Sequence, residues 1–293
     1  MTTNRRKSAI TVITPTLNAA KTIEDNLKSV AIAREELRKI NEYCEHLVID
    51  GGSTDDTINI VQQHAKRHSF CCLIKQKGTG AYGGMNEGLA KADGEYSQII
   101  NADDIIINPR QWACMISEVK YREKAIAISS IIYFHRPDII FDDVWQVYKL
   151  PAHEENWHKK LMNGLHYHHP GFMARTKIYR AIGFDEKYTL SADYKAMHKM
   201  LINTKIEEIE IYKDIFIAMD KNGASSTWQG KKIGMNQIKQ INLELGIKCP
   251  LWQRYIGKAT RKILQKMGRI IKSQSSALIN YEIHKKMENC NDD

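Results

Sequence analysis

A chain of 293 residues with a formal charge of +9, 43% hydrophobic and 26% charged residues, 17 Gly and 6 Pro has material for one large domain or two small ones, which excludes a collagen-like or wholly disordered polypeptide. No apolar run approaches the ~18 residues of a membrane span, and the polar, basic Met1–Lys7 leads straight into a strand-like run, so neither a transmembrane helix nor a signal peptide is expected. The cysteines (44, 71, 72, 114, 249 and 290) contain no CxxC pair and read as free thiols of a reducing cytoplasm.

The first half alternates strands and helices. Ala9–Thr14 is rich in β-formers, and Pro15 and Asn18 punctuate it. Ile23–Ile40 has helical spacing, and His46–Asp50 is a second strand ending in a Gly51–Gly52 turn. Ser53 is placed to cap a helix running to about His68. Phe70–Ile74 is a third strand. Gly78, Gly80, Gly83 and Gly84 suggest a loop, Met85–Ala92 a helix, and Tyr96–Asn101 a fourth strand ending at Asp103–Asp104. This order predicts an α/β fold, a mainly parallel sheet covered by helices, with ligands at the carboxyl ends of the strands. Asp50 and Asp103–Asp104 fall at such ends.

Beyond this point the pattern is less regular. Helices are expected over Pro109–Arg122, Lys177–Gly183 and Ser191–Leu201, a strand over Ala125–Phe134 and one or two strands over Ile206–Ile217, while His153–Met162 carries Trp157 and several His. From about Gly230 the chain reads as helix.

Two segments carry chemistry. His46–Thr57, HLVIDGGSTDDT, delivers a carboxylate into a tight turn before a helix N-terminus, a setting for a nucleotide's ribose, base or phosphate. The plainer reading has Asp50 and Ser53 capping the turn. Gly94–Asp104, GEYSQIINADD, ends a strand in paired acids that repel each other unless a cation or donors compensate. Hard oxygens there suit Mg²⁺ or Mn²⁺, which keep waters and take substrate phosphates as further ligands. The plainer reading is a solvated turn.

Taken together and in order, ITVITPTLNA, HLVIDGGSTDDT, GTGAYGGMNEGLAKADGEYSQIINADD and His168–Met200 resemble family 2 glycosyltransferases of the GT-A, Rossmann-like fold, closest to bacterial enzymes that build capsule, O-antigen or exopolysaccharide. The resemblance covers roughly residues 8 to 225. It implies a donor half over about 8–104 and an acceptor half over about 105–230 within a 1–230 catalytic domain, followed by a helical region over 231–293. It further implies that Pro15, Thr16 and Asn18 line the nucleotide pocket, with Ser53 beside them, and that Asp50 contacts the base. Asp103 and Asp104 would hold Mn²⁺ or Mg²⁺, Asp104 coordinating directly. His169, in the H-x-G of His169–Gly171, would lie near the acceptor or diphosphate, and Asp193 would be the base that deprotonates an acceptor hydroxyl. The implied reaction is a single, inverting displacement from a nucleotide sugar, UDP-linked by preference, to a glycan or lipid-linked acceptor.

Three positions depart from the family pattern: Gly78 and Gly83 stand where acids are usual, and Lys195 ends the family's A-D-Y-D. Lys77, in the altered loop, is a candidate contact to the diphosphate. The departures keep a second reading open, that of a catalytically silent nucleotide-sugar-binding or scaffolding protein at the membrane. Nucleotidyl transfer would want a Gly-rich, Lys-containing phosphate loop after the first strand, where this chain has TPTLNA. His166 and His168 alternate on one face of an extended segment. With no Cys nearby they read as packing or polar surface, not zinc ligands. Trp145, Trp157 and Trp228 could stack on sugars, although partial burial is the commoner fate of Trp.

The charge is localised. Lys248, Arg254, Lys258, Arg261, Lys262, Lys266, Arg269 and Lys272 fall in a segment without Asp or Glu, which leaves the rest of the chain at +1. From Leu251 the apolar residues recur at helical spacing, so 251–272 reads as a basic amphipathic helix. Such a helix suits an anionic membrane surface, and a helix docked on the catalytic domain is the alternative. The expected location is cytoplasmic, peripheral on the inner face of the cytoplasmic membrane, with no nucleic-acid partner. Assembly as a homo-oligomer is left open.

Overall fold

The computed structural model describes residues 7–136, 140–147, 154–163, 165–222 and 227–248. The basic segment 251–272 lies outside the described residues. So do His153 and most of the 231–293 region.

Three parallel pairings build the donor half. Strand β1 (Ile10–Thr16) lies between β2 (Cys44–Asp50) and β4 (Tyr96–Ile99), and β3 (Cys71–Lys75) adds outside β2. Nearly every residue of β1, β2 and β4 is buried, because both faces of the sheet are covered. On one face lies α1 (Ile23–Lys39), with Glu24 and Asp25 in its first turn and Arg38 and Lys39 in its last, the arrangement that the helix dipole favours. It packs with α4 (Pro109–Tyr121) in one hydrophobic cluster that includes Trp112, and α2 (Thr57–Arg67) flanks them. On the other face lies α3 (Gly80–Lys91).

The acceptor half continues the same sheet. Strand β8 (Phe172–Arg175) runs antiparallel to both β4 and β6 (Ile126–His135), and β6 is parallel to β9 (Ile209–Asp220). The two-residue β5 (Ile105–Ile106) borders β9, and β7 (Ile140–Trp145) pairs with the far end of β6. The sheet order is β3-β2-β1-β4-β8-β6-β9-β5. Six of these strands point one way, so the sheet is mixed but mainly parallel. Helices α5 (Glu154–Met162), α6 (Thr176–Ile182), α7 (Ala192–Ile202) and α8 (Trp228–Leu245) complete the covering.

Several expectations needed correction. Gly83 and Gly84 are not in a loop: α3 begins at Gly80, and both are buried in its first turns. Gly88 explains why the helix is glycine-rich, since a Cβ there would lie 2.4 Å from Ile13 Cγ2 of β1. Small residues let α3 lie close on the sheet. Ser53 does not cap α2, which starts at Thr57; the Ser53 hydroxyl is drawn to the Asp50 carboxylate. Strands β5, β7 and β8 were not foreseen, being short or irregular in pattern. Helix α8 starts at Trp228, and its Ile241 and the following Ile247 are buried in the same cluster as α7. Among the described residues no helix is long and apolar enough to cross a membrane.

Gly88→Ala is expected to lower stability by about 1–3 kcal/mol through overpacking against Ile13. Urea unfolding measures it, and an unchanged midpoint would mean that α3 does not sit this close to β1.

Candidate active site

The turn after β4 is fixed from beneath. Asn26 of α1 is fully buried, and its Nδ2 donates to the Asn101 carbonyl (2.9 Å) and the Asp104 carbonyl (3.0 Å). The Ser29 hydroxyl accepts from Ile106 N–H just beyond the turn (3.1 Å). The acids are therefore presented on a rigid element and not on a free loop.

The two acids differ. Asp104 turns inward and is 1% exposed; its Oδ1 accepts from Asp220 N–H (3.2 Å) and its Oδ2 from Asn101 Nδ2 (3.1 Å). Burial, then the charge of Asp103, holds its pKa well above the usual carboxylate value of 3.8. Asp103 is less enclosed. Burial and the Asp220 carboxylate raise its pKa, against the pull of His169 and Arg136. Asp104 spends an oxygen on each of two donors, and Asp103 is the more exposed of the pair.

Arg136, at the end of β6, binds this acidic corner together. Its Nε lies 3.3 Å from Asp220 Oδ2, its Nη1 pairs with Asp25 of α1, and its Nη2 reaches the Asp103 carbonyl at 3.4 Å. No motif marks Arg136, which lies 111 residues from Asp25, or Asp220, which lies 116 residues from Asp104.

Asp193 stands across from the turn, in the first turn of α7. Tyr82 Oη donates to its Oδ1 (2.8 Å), and His169 Nδ1 lies 3.4 Å from its Oδ2. Burial raises the Asp193 pKa, but the hydrogen bond and charge of His169, with the Tyr82 hydroxyl, outweigh it, so the net shift is downward. Tyr82 is pushed well above 10 by burial and by the Asp193 charge, and it remains a donor. Its ring stacks on Phe184 at 5.6 Å. Asn101 Nδ2 sits 3.0 Å from His169 Nε2. Asn101 thus joins Asp193 to the acid turn, a role that its place in NADD did not disclose. Tyr82 and Asn101 both lay inside recognised motifs, yet only the fold shows what they touch.

The nucleotide-side residues are brought together one strand away. Asp50 is 2% exposed, and its Oδ2 accepts from Gly52 N–H (2.9 Å) and Ser53 N–H (3.0 Å). In this state it caps its own turn. Asn18, at φ 49°, accepts from Thr54 N–H (2.8 Å), and its N–H donates to Ser53 Oγ (2.9 Å), which ties the loop after β1 to the loop after β2. Pro15 and Thr16 pair in register with Ile49 and Asp50. Thr16 Oγ1 is buried without a hydrogen-bond partner.

The departures from the family pattern acquire physical reasons. At Gly78 the loop is held by Glu87 of α3, whose carboxylate accepts from Lys77 N–H (2.8 Å) and Gly78 N–H (2.7 Å). Lys77 itself is exposed. A Cβ at Gly83 would stand 3.1 Å from Gln76 Nε2 and 3.3 Å from Glu186 Oε2, so a carboxylate at 83 would crowd an existing one. Lys195 is nearly buried and bridges Asp185 (2.6 Å) and Glu244 of α8, which also pairs with Lys187 and accepts from Tyr188 Oη. It is a strut for α8 and lies outside the Asp193 hydrogen-bond chain.

The model of the family described as "Glycosyl transferase family 2" matches residues 11–183. The chain belongs to that family. The match spans every element that carries the nucleotide-side and metal-side residues, and it stops short of Asp193. TuaG of Bacillus subtilis (strain 168), named for teichuronic acid biosynthesis, is 32% identical over 99 residues, 33% of this chain and 37% of that protein. The poly-beta-1,6-N-acetyl-D-glucosamine synthase of Staphylococcus aureus (strain COL) is 26% identical over 120 residues, 41% of this chain and 27% of the relative. The chain therefore spans well under half the length of these relatives. Among solved structures, S. aureus TarS 1-349 in complex with UDP-GlcNAc is similar with a TM-score of 0.55 at 19% identity, covering 76% of this chain and 64% of that one. The mannosyltransferase PcManGT from Pyrobaculum calidifontis, in complex with GDP-Man and Mn²⁺, has a TM-score of 0.53 at 14% identity, covering 95% and 87%. At these identities the likeness establishes the GT-A fold of this family member.

The raised Asp104 pKa has a stability consequence. Between 3.8 and its higher folded value the folded chain holds a proton that the unfolded chain has released, so stability falls as pH rises through that window. Urea unfolding in EDTA at about pH 5 and about pH 7 should show a smaller loss for Asp104→Asn than for the wild type. Equal losses would contradict the burial of Asp104.

Proposed function

We propose that this chain transfers a single sugar, with inversion, from a nucleotide donor to a glycan or lipid-linked acceptor, in the building of a bacterial surface polysaccharide. The observation that carries this reading is the hydrogen-bonded chain Tyr82–Asp193–His169–Asn101, which links the Asp193 carboxylate to the acid turn. A UDP-linked donor is favoured by the UDP-GlcNAc bound to TarS 1-349, and a surface polysaccharide by the names of the sequence relatives.

Asp193 receives the proton of the acceptor hydroxyl as that oxygen attacks the anomeric carbon. The lowered pKa keeps the carboxylate ionised before the acceptor arrives. Tyr82 occupies one oxygen and His169 steadies the other, which fixes the carboxylate plane. General-base help of this kind contributes about 10²–10⁴-fold. Thr16, with its unpartnered buried hydroxyl, and the stapled loops at Asn18 and Ser53 line the nucleotide side, where Asp50 can exchange a turn N–H for a base N–H.

Mn²⁺ or Mg²⁺ fits the residues present. No group of three His, Cys, Asp or Glu among the described residues forms a metal cage, and these ions need only one or two carboxylates when phosphates supply the rest. Asp103, raised by burial and by Asp220, is an oxygen donor that a cation would relieve, and Asp104 would back it. The bound ion would supply Lewis-acid stabilisation of the departing diphosphate.

The basic stripe 251–272 is proposed to hold the enzyme on an anionic cytoplasmic leaflet, where lipid-linked acceptors present their sugars. Flotation with anionic vesicles should be lost on truncation after Lys248, and unchanged flotation would end that proposal.

A panel of UDP-, GDP- and dTDP-sugars, each with Mn²⁺ and Mg²⁺, tests the function by donor hydrolysis and transfer. Asp193→Asn is expected to lower turnover by about 10²–10⁴-fold while leaving the fold and UDP affinity in place. Wild-type turnover in Asp193→Asn would overturn the mechanism.

A further inference from the structure

The base is held from behind as well as by Tyr82 and His169. Asp193 sits in the first turn of α7, and Ser191 is the residue placed to cap that helix. Ser191 does not cap it: its side chain makes no capping hydrogen bond at the α7 N-terminus. The Ser191 hydroxyl donates instead to the Gly234 carbonyl of α8 (3.4 Å). One turn further along α8, the Gln237 side chain spans the two residues ahead of Ser191. Its Oε1 accepts from Leu190 N–H (3.0 Å), and its Nε2 donates to Thr189 Oγ1 (3.0 Å).

The far end of α8 holds the other side of the base. Tyr194 follows Asp193, and its Oη donates to Asn242 Oδ1 (2.8 Å). Lys195, 8% exposed, pairs with Glu244 of α8 and with Asp185. Glu244 also accepts from Tyr188 Oη (2.6 Å) and pairs with Lys187 (2.8 Å). Residues 187–191 and 194–195 are thus all bound to one helix, and Asp193 lies between them. Two residues apart on a helix means about 200° around its axis. Asp193 therefore meets Tyr82 and His169 while Lys195 meets α8. Both sides of this contact lie beyond residues 11–183, the span that the family model matches.

We propose that α8 is the brace that sets where the base stands, with Lys195 and Gln237 as positioning residues of the transfer step. This rests on the glycosyltransferase reading above. A helix whose N-cap side chain is used elsewhere lacks the local device that fixes its first turn. Here the neighbouring helix supplies that device, through Gly234 and Gln237. A lysine as enclosed as Lys195 must keep its carboxylates beside it, which ties α7 to α8 in one register. A small slide of the α7 start moves the Asp193 carboxylate relative to the acceptor hydroxyl, and proton transfer depends steeply on that placement. The lysine that ends A-D-Y-K is then a substitute for the usual acid with a task of its own: it acts on the base through the backbone of α7 and touches no substrate.

The test uses the full chain with ¹⁵N-imidazole histidine and no added metal. His169→Gln assigns the His169 signals by their loss. Because His169 Nδ1 lies 3.4 Å from Asp193 Oδ2, these signals report where the base stands. They are expected to shift in Lys195→Met and in Gln237→Ala, with the other imidazole signals showing that each variant is folded. In Lys195→Arg, whose guanidinium bridges both carboxylates, they keep the wild-type position. In the transfer assay kcat is expected to fall at least about tenfold in Lys195→Met and Gln237→Ala, with donor KM and UDP affinity unchanged, and to return in Lys195→Arg. Should Lys195→Met unfold, Gln237→Ala carries the same test with the ion pairs intact. Wild-type His169 signals in the loosened variants overturn the brace. So does UDP binding that weakens in step with kcat, which marks a general loosening of the fold. Shifted His169 signals in a chain that transfers sugar from no donor leave the brace standing and remove the glycosyltransferase reading, so the two failures are distinguishable.

Discussion

Carboxylates crowd the end of the central strands, and the structure around them follows from the need to hold them apart. Asp103, Asp104, Asp220 and Asp193 share one corner with Arg136, His169 and Asn101. Each like charge at short range raises the cost of ionising its neighbours. The chain meets that cost unevenly. Asp104 is buried and given hydrogen-bond donors, Asp220 is paired with Arg136, and Asp193 is supported by Tyr82 and His169. Asp103 keeps the pull of His169 and Arg136 against its burial and the Asp220 charge.

Uneven compensation also separates the two kinds of chemistry. A base must be ionised and accessible, which the downward shift and partial exposure of Asp193 provide. Asp103 and Asp104 are instead held costly to ionise by burial, as carboxylates that await a cation would be. Asn101 connects the two through a single side-chain amide that faces both Asp104 and His169. Asn26 fixes that amide's own backbone, so the linkage extends from the buried face of α1 to the base.

The fold was legible in the sequence where the pattern is local and repetitive. The βαβ order, the strand end at Asp50, and helix α4 opening at Pro109 follow from runs of β-branched residues and from turn chemistry. What could not be read depended on distant partners. The helical start at Gly80 is set by the close approach of Gly88 to Ile13, and Ser53 leaves its capping position because Asp50 is nearer. The site was legible as a set of acids and not as a network. Lys195 looked like a lost catalytic-motif acid until Asp185 and Glu244 appeared beside it. Arg136 carried no motif at all.

Isothermal titration of UDP into the wild type and into Asp103→Asn, each with Mn²⁺ and with EDTA, bears most directly on the acidic corner. If Asp103 awaits a cation that the nucleotide shares, UDP binds the wild type tightly with Mn²⁺ and at least about tenfold more weakly in EDTA, a difference of about 1.4 kcal/mol, and Asp103→Asn binds weakly in both. Equal UDP affinity in all four titrations would contradict it.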